Sequence, residues 1–480
     1  MEVLFVAPEI SPLAKTGGLA DVAGALPQAL AAEGVKCHLV MPLYAEVDRA
    51  KHGLTPTGLE FEVPLPGGVE WARLWQGKLG PCPIYLLENA RFYDRPGLYG
   101  PPGGEHPDNL LRFAFFCRGA VELCRRLNLA PPVVHLHDWQ GALLAAYLRA
   151  HPFDLGPLTG AKSVLTIHNL SYQGIFPRHD FYQTMLPPYL DQVEGLEFWG
   201  NLSLLKGGLL LADRLTTVSP TYAREIQTPA GGHGLEGLLA RRARDLVGIL
   251  NGADYRHWSP EADPLIPARY GPDDLTGKEI CRRKLVERLG LEPLGPDTAV
   301  LGFVGRLAYQ KGADLLPEAI SRLLLDDLRV VILGTGDPAV EHTLRELARA
   351  HPGRVGLELG FSEELAHWIQ AGSDLHLMPS RFEPCGLSQL YAMRYGTVPV
   401  VRASGGLRDT VMPFDPFTGQ GTGFVFQEAR PGDLFHAVRE ALWCRAHPEH
   451  WSRLVANCLA QDFSWAASAQ TYAALYRSLV

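Results

Sequence analysis

Pairs of glycines stand where two loops meet the start of a predicted helix. The first pair is in Lys15-Thr16-Gly17-Gly18-Leu19, after the apolar residues 3–7, and the second is in Ser404-Gly405-Gly406-Leu407, after the apolar residues 398–401. Glycine lets a backbone approach a ligand closely, and a helix N-terminus offers unpaired N–H groups to an anion. Each loop alone is equally compatible with an ordinary strand-to-helix turn, but the two together predict binding of phosphate groups.

Arg306 and Lys311 add two cations at the end of another apolar run, residues 299–304. They occur in Val304-Gly305-Arg306-Leu307 and in Gln310-Lys311-Gly312. Charge-assisted hydrogen bonds to a phosphate contribute about 1.5–3 kcal/mol each, so these cations and the two glycine pairs predict a diphosphate site. Many sugar-nucleotide enzymes hold a metal with Asp-x-Asp, and this pattern does not occur in the sequence. We therefore expect a site that works without a metal.

Glu383 is the acidic residue whose surroundings best suit catalysis. It lies in Pro379-Ser380-Arg381-Phe382-Glu383-Pro384-Cys385-Gly386-Leu387, just past the apolar residues 375–378. A carboxylate at a strand end can hydrogen-bond a sugar or stabilise the positive charge that develops on it. The alternative is a glutamate at the start of a helix, where the helix dipole favours a negative charge.

Histidine and aspartate residues close two further predicted strands. His135-Leu136-His137-Asp138-Trp139 ends one strand, and His168-Asn169 follows the apolar residues 163–167. Residues 135 and 137 point to the same side of a strand, which resembles part of a metal site, but no third ligand follows at a familiar spacing. Polar residues at successive strand ends, with aromatic residues nearby, fit a carbohydrate site better. We therefore predict a functional role for Asp138 and His168.

One loop fits a different class of enzyme. Residues 331–339 form a predicted strand followed by Gly334-x-Gly336-x-x-Ala339 and a helix, and Glu358 lies about where a ribose-binding acid belongs. An NAD-dependent oxidoreductase that uses this loop is therefore an alternative function. Against it, the loop lies deep in the second half of the chain, and Asp337 puts a negative charge where a pyrophosphate would approach.

Short apolar runs alternate with helix-period stretches along the whole chain. Runs such as Val330-Val331-Ile332-Leu333 are apolar throughout, which is typical of parallel strands buried on both faces of a sheet. At 480 residues the chain is too long for one ordinary core. We expect an α/β protein with two doubly wound, Rossmann-like domains, residues 1–245 and 246–461.

Composition and charge argue against several other classes of protein. Lys plus Arg number 44 and Asp plus Glu number 52, a net charge of −8, which disfavours a general nucleic-acid binder. No apolar stretch reaches the roughly 18 residues of a membrane span, and no signal peptide is visible after Met1. The eight cysteines form no Cys-x-x-Cys pair, which is typical of reduced thiols. We expect a cytoplasmic protein with neither a nucleic-acid nor a membrane partner.

Several strings along the chain combine into a family pattern. They are Lys15 to Val22, His137-Asp138-Trp139, Thr166 to Leu170, Asn251-Gly252-Ala253-Asp254 with Trp258-Ser259-Pro260, Gly305-Arg306-Leu307 with Gln310-Lys311-Gly312, Ser380 to Leu390, and Ser404 to Val411. On these residues the sequence resembles the starch synthase family, which includes the bacterial glycogen synthases and whose members are GT-B glycosyltransferases. The Lys-Thr-Gly-Gly-Leu and Arg-Phe-Glu-Pro-Cys-Gly-Leu strings are specific to this family in combination.

The resemblance implies a GT-B architecture, in which two Rossmann-like domains face each other across a cleft. It implies transfer of glucose from ADP-glucose to the non-reducing end of an α-1,4-glucan such as glycogen, with retention at the anomeric carbon and without a cofactor. Residues 1–245 would form the glucan acceptor side and residues 246–461 the nucleotide-sugar donor side. A C-terminal helix within residues 462–480 would cross back to the first domain.

The resemblance also implies roles for individual residues. Arg306 and Lys311 would hold the diphosphate and stabilise the leaving ADP, Glu383 would contact the donor glucose, and Asp138 and His168 would line the sugar site. The other expected substrate contacts are Lys15, Gly17, Gly18, Gly305, Cys385, Gly386, Leu387, Gly405, Gly406 and Thr410. A glucan-binding protein without activity is a further alternative, but it would not need two phosphate loops and paired cations.

Tyr391 departs from the wider GT-B pattern. Many retaining relatives carry a second Glu eight residues after the first, and this sequence has Tyr391 at that position. A mechanism with two carboxylates is therefore in doubt. The sequence favours front-face displacement, in which the departing phosphate helps to deprotonate the acceptor hydroxyl.

Overall fold

The computed structural model describes residues 1–101 and 104–480. The chain folds as two compact units: the first unit is Met1–Gly252 with Trp465–Val480, and the second unit is Ala253–Ser464. The predicted boundary after residue 245 is too early, because residues 246–248 form a strand that pairs in parallel with residues 215–217 of the first unit. The C-terminal return to the first unit begins at Trp465 rather than at residue 462.

Strands alternate with helices through both units. The strands are β1 (Glu2–Val6), β2 (Lys36–Pro42), β3 (Thr55–Leu65), β4 (Gly68–Leu79), β5 (Cys82–Glu88), β6 (Val133–His137), β7 (Lys162–Ile167), β8 (Ile175–Pro177), β9 (Glu197–Phe198), β10 (Asn201–Ser203), β11 (Arg214–Thr217), β12 (Leu246–Gly248), β13 (Ala299–Val304), β14 (Leu328–Gly334), β15 (Val355–Leu359), β16 (Leu375–Met378), β17 (Val398–Arg402) and β18 (Phe424–Phe426). The α-helices are α1 (Gly18–Ala32), α2 (Ala90–Tyr93), α3 (Asn109–Leu127), α4 (Asp138–Ala150), α5 (Leu204–Leu211), α6 (Pro220–Glu225), α7 (Glu236–Arg241), α8 (Thr276–Arg288), α9 (Leu316–Leu323), α10 (Pro338–Ala350), α11 (Glu363–Gly372), α12 (Ser388–Arg394), α13 (Gly405–Thr410), α14 (Pro431–Arg445), α15 (Pro448–Leu459) and α16 (Trp465–Arg477).

The main sheet of the first unit has the strand order β12-β11-β7-β6-β1-β2-β5-β4-β3. The strands from β12 to β5 run parallel, and β4 and β3 extend the sheet as an antiparallel hairpin. The hairpin was not predicted, because its strands carry many charged residues and only half of one face of β3 is buried. Since β1, β6 and β7 are neighbours, the loops that follow them leave the sheet at one edge.

The sheet of the second unit has the order β15-β14-β13-β16-β17-β18 and is parallel throughout. Leu301, Val330 and Ile332 pack into a core on one face, while Val300 and Val331 pack into another core on the opposite face. The predicted α/β architecture with parallel sheets buried on both faces is therefore confirmed. Since β13, β16 and β17 are neighbours, the loops after them also share one edge.

The last helix, α16, is anchored in the first unit by polar contacts as well as by packing against α1. Tyr476 hydrogen-bonds its hydroxyl to His135 Nδ1 at 2.7 Å, and Ser468 Oγ donates to the carbonyl oxygen of Leu250 at 2.5 Å. Tyr476 and His135 are both fully buried. The chain terminus is thereby fixed to the strand that ends at His137. In the part of the chain that the structure describes, no helix is both long and apolar enough to cross a membrane.

Candidate functional site

In the second unit, the loops after β13 and β16 bring a lysine and a glutamate together. Lys311 ends a short 3₁₀ turn, Tyr309–Lys311, and its Nζ lies 2.6 Å from Glu383 Oε2. Glu383 Oε2 also accepts a hydrogen bond from Ser380 Oγ at 3.0 Å. Only 5% of Glu383 is exposed, and burying a carboxylate is costly unless it is paired. The two predicted catalytic residues thus form one ion pair.

The glycine pair after β17 packs directly against the loop that carries Glu383. A Cβ added to Gly405 would lie 2.0 Å from the carbonyl oxygen of Glu383, and one on Gly406 would lie 2.2 Å from that of Cys385. The backbone N–H of Gly406 donates to the carbonyl oxygen of Glu383 at 3.0 Å. These glycines are therefore required by close packing within the protein. At least one of the amides expected to face a phosphate has a partner in the chain.

Gln389, in the first turn of α12, links the loop that carries Glu383 to the segment that follows β17. Its Nε2 donates to the carbonyl oxygens of Cys385 and Gly386 and to Thr410 Oγ1, each at 3.1 Å, and Thr410 Oγ1 donates to the carbonyl oxygen of Gly406 at 2.7 Å. Gln389 is completely buried. Four of the predicted substrate contacts therefore belong to one hydrogen-bonded arrangement. Sequence analysis missed Gln389, although a glutamine one residue into a helix after a glycine-containing loop was a usable signal.

Gly386 and Leu387 connect the glutamate loop to α12. Gly386 has a φ of +73°, a left-handed conformation that glycine adopts without strain. Leu387 precedes the first residue of α12 and packs partly buried against the core of the second unit. The loop is therefore held at both of its ends.

Arg306 follows β13 and is the second predicted cation of this unit. Its Nη2 donates to Gln310 Oε1 at 3.1 Å, which links it to the turn that presents Lys311. Arg381, which sequence analysis did not single out, makes a two-pronged contact with Asp314 and lies 3.7 Å from the ring centre of Tyr309. Arg306, Lys311 and Arg381 thus surround the same turn with positive charge.

The Gly334-x-Gly336 loop packs and hydrogen-bonds inside the protein and does not present its amides to a dinucleotide. A Cβ on Gly334 would lie 2.0 Å from the carbonyl oxygen of Gly305, so the loop packs against the backbone after β13. The N–H of Gly336 donates to Glu341 Oε1 at 2.9 Å, and the N–H of Asp337 donates to the carbonyl oxygen of Leu307 at 2.7 Å. These amides are occupied inside the protein, which argues against the oxidoreductase alternative.

In the first unit, Lys15 and the glycine pair form the loop between β1 and α1. Lys15 Nζ contacts Asp21 Oδ1 at 2.7 Å on the exposed side of the helix start. Gly17 has extended backbone and precedes Gly18, the first residue of α1. A Cβ on Gly17 would meet no other atom within 4 Å, so packing does not explain this glycine.

Glu9 holds this loop in place and was missed by sequence analysis. Its carboxylate accepts hydrogen bonds from the backbone N–H of Thr16, from Thr16 Oγ1 at 2.9 Å, and from the Tyr99 hydroxyl at 3.0 Å. Glu9 is 3% exposed, and burial raises the pKa of its carboxyl despite these bonds. The position of Glu9, two residues after the apolar start of the chain, was the available signal.

Asp138 and His168 are brought together at the ends of β6 and β7. The N–H of His168 donates to Asp138 Oδ1 at 2.7 Å, and His168 Nε2 lies 2.9 Å from His137 Nδ1. Burial raises the pKa of Asp138 to about 7 and lowers the pKa of His168 to about 3. The imidazole of His168 is therefore neutral at physiological pH, which suits hydrogen bonding to an uncharged sugar.

His135 points into the protein and not toward His168. Its two ring nitrogens bond Tyr476 and, at 2.6 Å, Thr166 Oγ1. Among residues 1–101 and 104–480, no group of three or more His, Cys, Asp or Glu side chains could hold a metal ion. Both ring nitrogens of His135 therefore have partners inside the protein, so its spacing with His137 does not indicate a metal site.

Comparison with known families matches both halves of the chain. Residues 2–241 match the model of the starch synthase catalytic domain, and residues 292–455 match that of glycosyl transferases group 1. The glycogen synthase of Anaeromyxobacter dehalogenans (strain 2CP-1) is 50% identical over 481 residues, covering 100% of this chain and 99% of the relative. The glycogen synthase of Myxococcus xanthus (strain DK1622) is 47% identical over 485 residues, with 100% of both chains covered.

Two solved structures have the same fold. The catalytic domain of starch synthase IV from Arabidopsis thaliana, bound to ADP and acarbose, aligns with a TM-score of 0.92 at 33% identity and covers 99% of both chains. Sucrose-phosphate synthase from Thermosynechococcus elongatus aligns with a TM-score of 0.62 at 18% identity, covering 100% of this chain and 98% of the other. The second likeness bears on the fold alone. Together they confirm the predicted GT-B fold class.

Proposed function

The chain belongs to the starch synthase family of glycosyltransferases, and from this membership we propose that it transfers glucose from ADP-glucose to the non-reducing end of an α-1,4-glucan. It is an enzyme of the glycogen synthase type. The ADP and acarbose, an oligosaccharide analogue, in the Arabidopsis relative support an adenosine diphosphate donor and a glucan acceptor. The reaction needs neither a metal nor a cofactor in this proposal.

The second unit binds the diphosphate of the donor. Arg306 and Lys311 supply positive charge from the turn after β13, and Gly305 keeps the backbone there free of a side chain. An ammonium group has three N–H donors, so Lys311 can bind Glu383 with one and phosphate oxygens with the others. Because charge-assisted hydrogen bonds strengthen as negative charge builds up, these cations stabilise the leaving ADP more than the bound donor.

Glu383 serves the sugar end of the same donor. Its carboxylate is held by Lys311 and Ser380 in a nearly water-free position. A fixed negative charge there stabilises the positive charge that develops on the anomeric carbon as the bond to phosphate lengthens. The Lys311–Glu383 pair thus presents opposite charges to the two sides of the bond that breaks.

The chemical step is a front-face displacement. The bond between the anomeric carbon and the β-phosphate oxygen breaks, and its electron pair leaves with ADP. The 4-hydroxyl oxygen of the acceptor forms the new bond on the same face, and its proton passes to the departing phosphate oxygen. Tyr391 at the position of a second glutamate supports this route, since no partner carboxylate stands eight residues after Glu383.

The first unit contributes sugar contacts and one further cation. Asp138 and the neutral imidazole of His168 line a sugar site of the first unit, and the Lys15-Thr16-Gly17-Gly18 loop, held by Glu9, presents a charge and a glycine with space beside it. The buried His137–His168 contact fixes the orientation of the imidazole. The neutral imidazole of His168 can donate a hydrogen bond to a sugar hydroxyl group or accept one from it.

The observation that carries this proposal is the 2.6 Å contact between Lys311 and the buried Glu383 beside the glycine pair. The test is transfer of radiolabelled glucose to glycogen from ADP-glucose and from UDP-glucose in parallel. We expect faster incorporation from ADP-glucose and complete release of the label by β-amylase, which removes α-1,4-linked maltose from non-reducing ends. Preference for UDP-glucose, or label that resists β-amylase, would contradict the donor or the linkage.

A further inference from the structure

Trp199 occupies an unusual place for a large aromatic residue. It lies with Gly200 in the two-residue turn that joins β9 to β10, where Phe198 pairs with Asn201. Its φ is +52° and that of Gly200 is +82°. A turn with two left-handed residues favours Asn, Asp or Gly at its first position. A tryptophan at this position is strained.

The indole ring of Trp199 is also left in the solvent. Trp199 is 81% exposed, so burial of its ring contributes little to the stability of the fold. Backbone strain and exposure both work against stability, and observed strain of this kind points to a functional constraint. We therefore infer that a ligand covers the ring.

Hydrogen bonds hold the backbone of the hairpin that carries Trp199. Glu197 Oε1 accepts a hydrogen bond from the N–H of Gly200 at 2.7 Å, and Lys206 Nζ donates to the carbonyl oxygen of Glu197 at 2.5 Å. Gly234 approaches so closely that a Cβ on it would lie 3.3 Å from Trp199 Nε1. A backbone that is already ordered loses little conformational entropy when a ligand covers the ring that it carries.

The hairpin belongs to a segment that begins at the sugar-binding edge of the first unit. Residues 168–203 leave the carboxyl end of β7 at His168 and return at α5, and Ser203 Oγ ties the return to the carbonyl oxygen of Gln173 at 3.2 Å. The same segment exposes Tyr172, Tyr182 and Tyr189. Within the described part of the first unit, Trp71 on β4 is the only other exposed aromatic.

We propose that Trp199 is a stacking platform for the α-glucan acceptor, outside the reaction centre. This proposal rests on the proposed function, since a polymeric acceptor extends well beyond the one sugar that reacts. Pyranose rings present apolar C–H faces edged by hydroxyl groups, and a flat, amphipathic indole matches such a face. The acidic net charge of the chain disfavours a nucleic acid as the occupant.

Co-sedimentation with glycogen in the absence of any donor tests the platform separately from the transfer reaction. The variants are W199A and W199N, and the matched control is W71A, which removes another half-exposed indole of the same unit. We expect the apparent Kd for glycogen to rise at least fivefold in both Trp199 variants and to stay unchanged in W71A. Because Asn suits the turn, W199N should melt at no lower temperature than the wild type.

Kinetics with two acceptors complete the test. The glycogen concentration for half-maximal rate should rise at least fivefold in W199N. The KM for ADP-glucose and the KM for maltotriose, an acceptor of three sugar units, should stay as in the wild type. Unchanged glycogen binding in W199A and W199N overturns the proposal, as does an equal loss in W71A. A change of oligomeric state with unchanged glycogen binding also overturns it and assigns the ring to a second copy of the chain.

Discussion

Lys311 Nζ and Glu383 Oε2 lie 2.6 Å apart although their residues are 72 positions apart in the sequence. The pair exists because β13 and β16 are adjacent parallel strands whose following loops leave the sheet at the same edge. Glu383 is nearly inaccessible to solvent, whereas the Lys311 side chain is 23% exposed. The lysine can therefore reach a ligand while the carboxylate stays fixed beside it.

Replacing Lys311 by Ala should lower kcat by about 10²–10³-fold, because one donor to a developing negative charge is worth that much in rate. The measurement is initial-rate kinetics of glucose transfer, with circular dichroism to show that the fold persists. K284A is the control, since Lys284 also contacts a carboxylate, Glu287 at 2.8 Å, but on the surface. K284A should retain full activity. Wild-type turnover in K311A would contradict the assigned role.

Arg306→Ala should also lower kcat by two orders of magnitude or more, because we propose that its guanidinium is the second group that stabilises the leaving ADP. Arg345→Ala is a suitable control, because Arg345 pairs with Glu341 on the surface of α10. If the two variants lose activity equally, the role assigned to Arg306 is wrong.

Gly406→Ala should destabilise the second unit and abolish most activity. The new Cβ would lie 2.2 Å from the carbonyl oxygen of Cys385 and 2.5 Å from its Cα, and overpacking of this kind costs about 1–3 kcal/mol. Urea unfolding measures the loss. Gly237→Ala in α7 is the opposite case, since nothing lies within 4 Å of its added Cβ. It should leave stability unchanged or raise it by up to about 1 kcal/mol, because alanine favours a helix. Equal stability of the two variants would refute the packing argument.

Gln389→Met should remove the side-chain donor to the carbonyl oxygens of Cys385 and Gly386 and cost about 1–3 kcal/mol of the free energy of unfolding. The glutamate loop should also lose its link to Thr410, and we expect a fall in kcat of at least tenfold. Gln227→Met removes a similar bond to a helix carbonyl near the surface and is the control. Unchanged kcat in Q389M would show that the loop keeps its geometry without this side chain.

The stability of the second unit should depend on pH through Lys278. Burial lowers the pKa of this lysine from 10.5 to about 8, although its Nζ donates to the carbonyl oxygens of Ala371 and Tyr395 and to Thr397 Oγ1. Between pH 8 and 10.5 the unfolded chain binds more protons at this site than the folded chain does. The free energy of unfolding therefore increases as the pH rises through this range. The full gain is about 3 kcal/mol, at 1.36 kcal/mol per pKa unit.

The measurement for Lys278 is urea unfolding of the wild type and of K278M at several pH values. The difference in unfolding free energy, wild type minus variant, should increase from pH 8 to pH 10.5. Subtracting the variant removes the contributions of the buried tyrosines and cysteines that titrate in the same range. A difference that stays constant or falls would show that folding does not lower the pKa of Lys278.

The sequence predicted which residues gather at the site because strand order controls where loops emerge. Arg306, Lys311, Glu383 and the Gly405-Gly406 pair all follow parallel strands, and adjacent strands bring them together. The close packing of Gly405 and Gly406 could not be predicted, because the sequence does not show which atoms lie next to them. In the structure, the carbonyl oxygens of Glu383 and Cys385 occupy the space that a side chain on either glycine would need.

Glu9 and Gln389 were missed for a related reason. Each is a hydrogen-bonding centre whose partners come from other loops, Tyr99 for Glu9 and Thr410 for Gln389. The sequence shows where each residue lies relative to a strand or a loop, but it does not show these distant partners. The domain boundary was placed too early because β12 is only three residues long, and its pairing with β11 depends on tertiary contacts.

We propose that Arg306 and Lys311, and not a bound metal ion, neutralise the charge on the departing nucleotide. The most direct measurement is kcat for glucose transfer from ADP-glucose by wild type and K311A, each dialysed against EDTA and then assayed with and without added Mg²⁺ or Mn²⁺. We expect the wild type to keep its full rate in EDTA and no divalent ion to restore the activity of K311A. A wild-type rate that falls to background in EDTA and returns with the ion would contradict it.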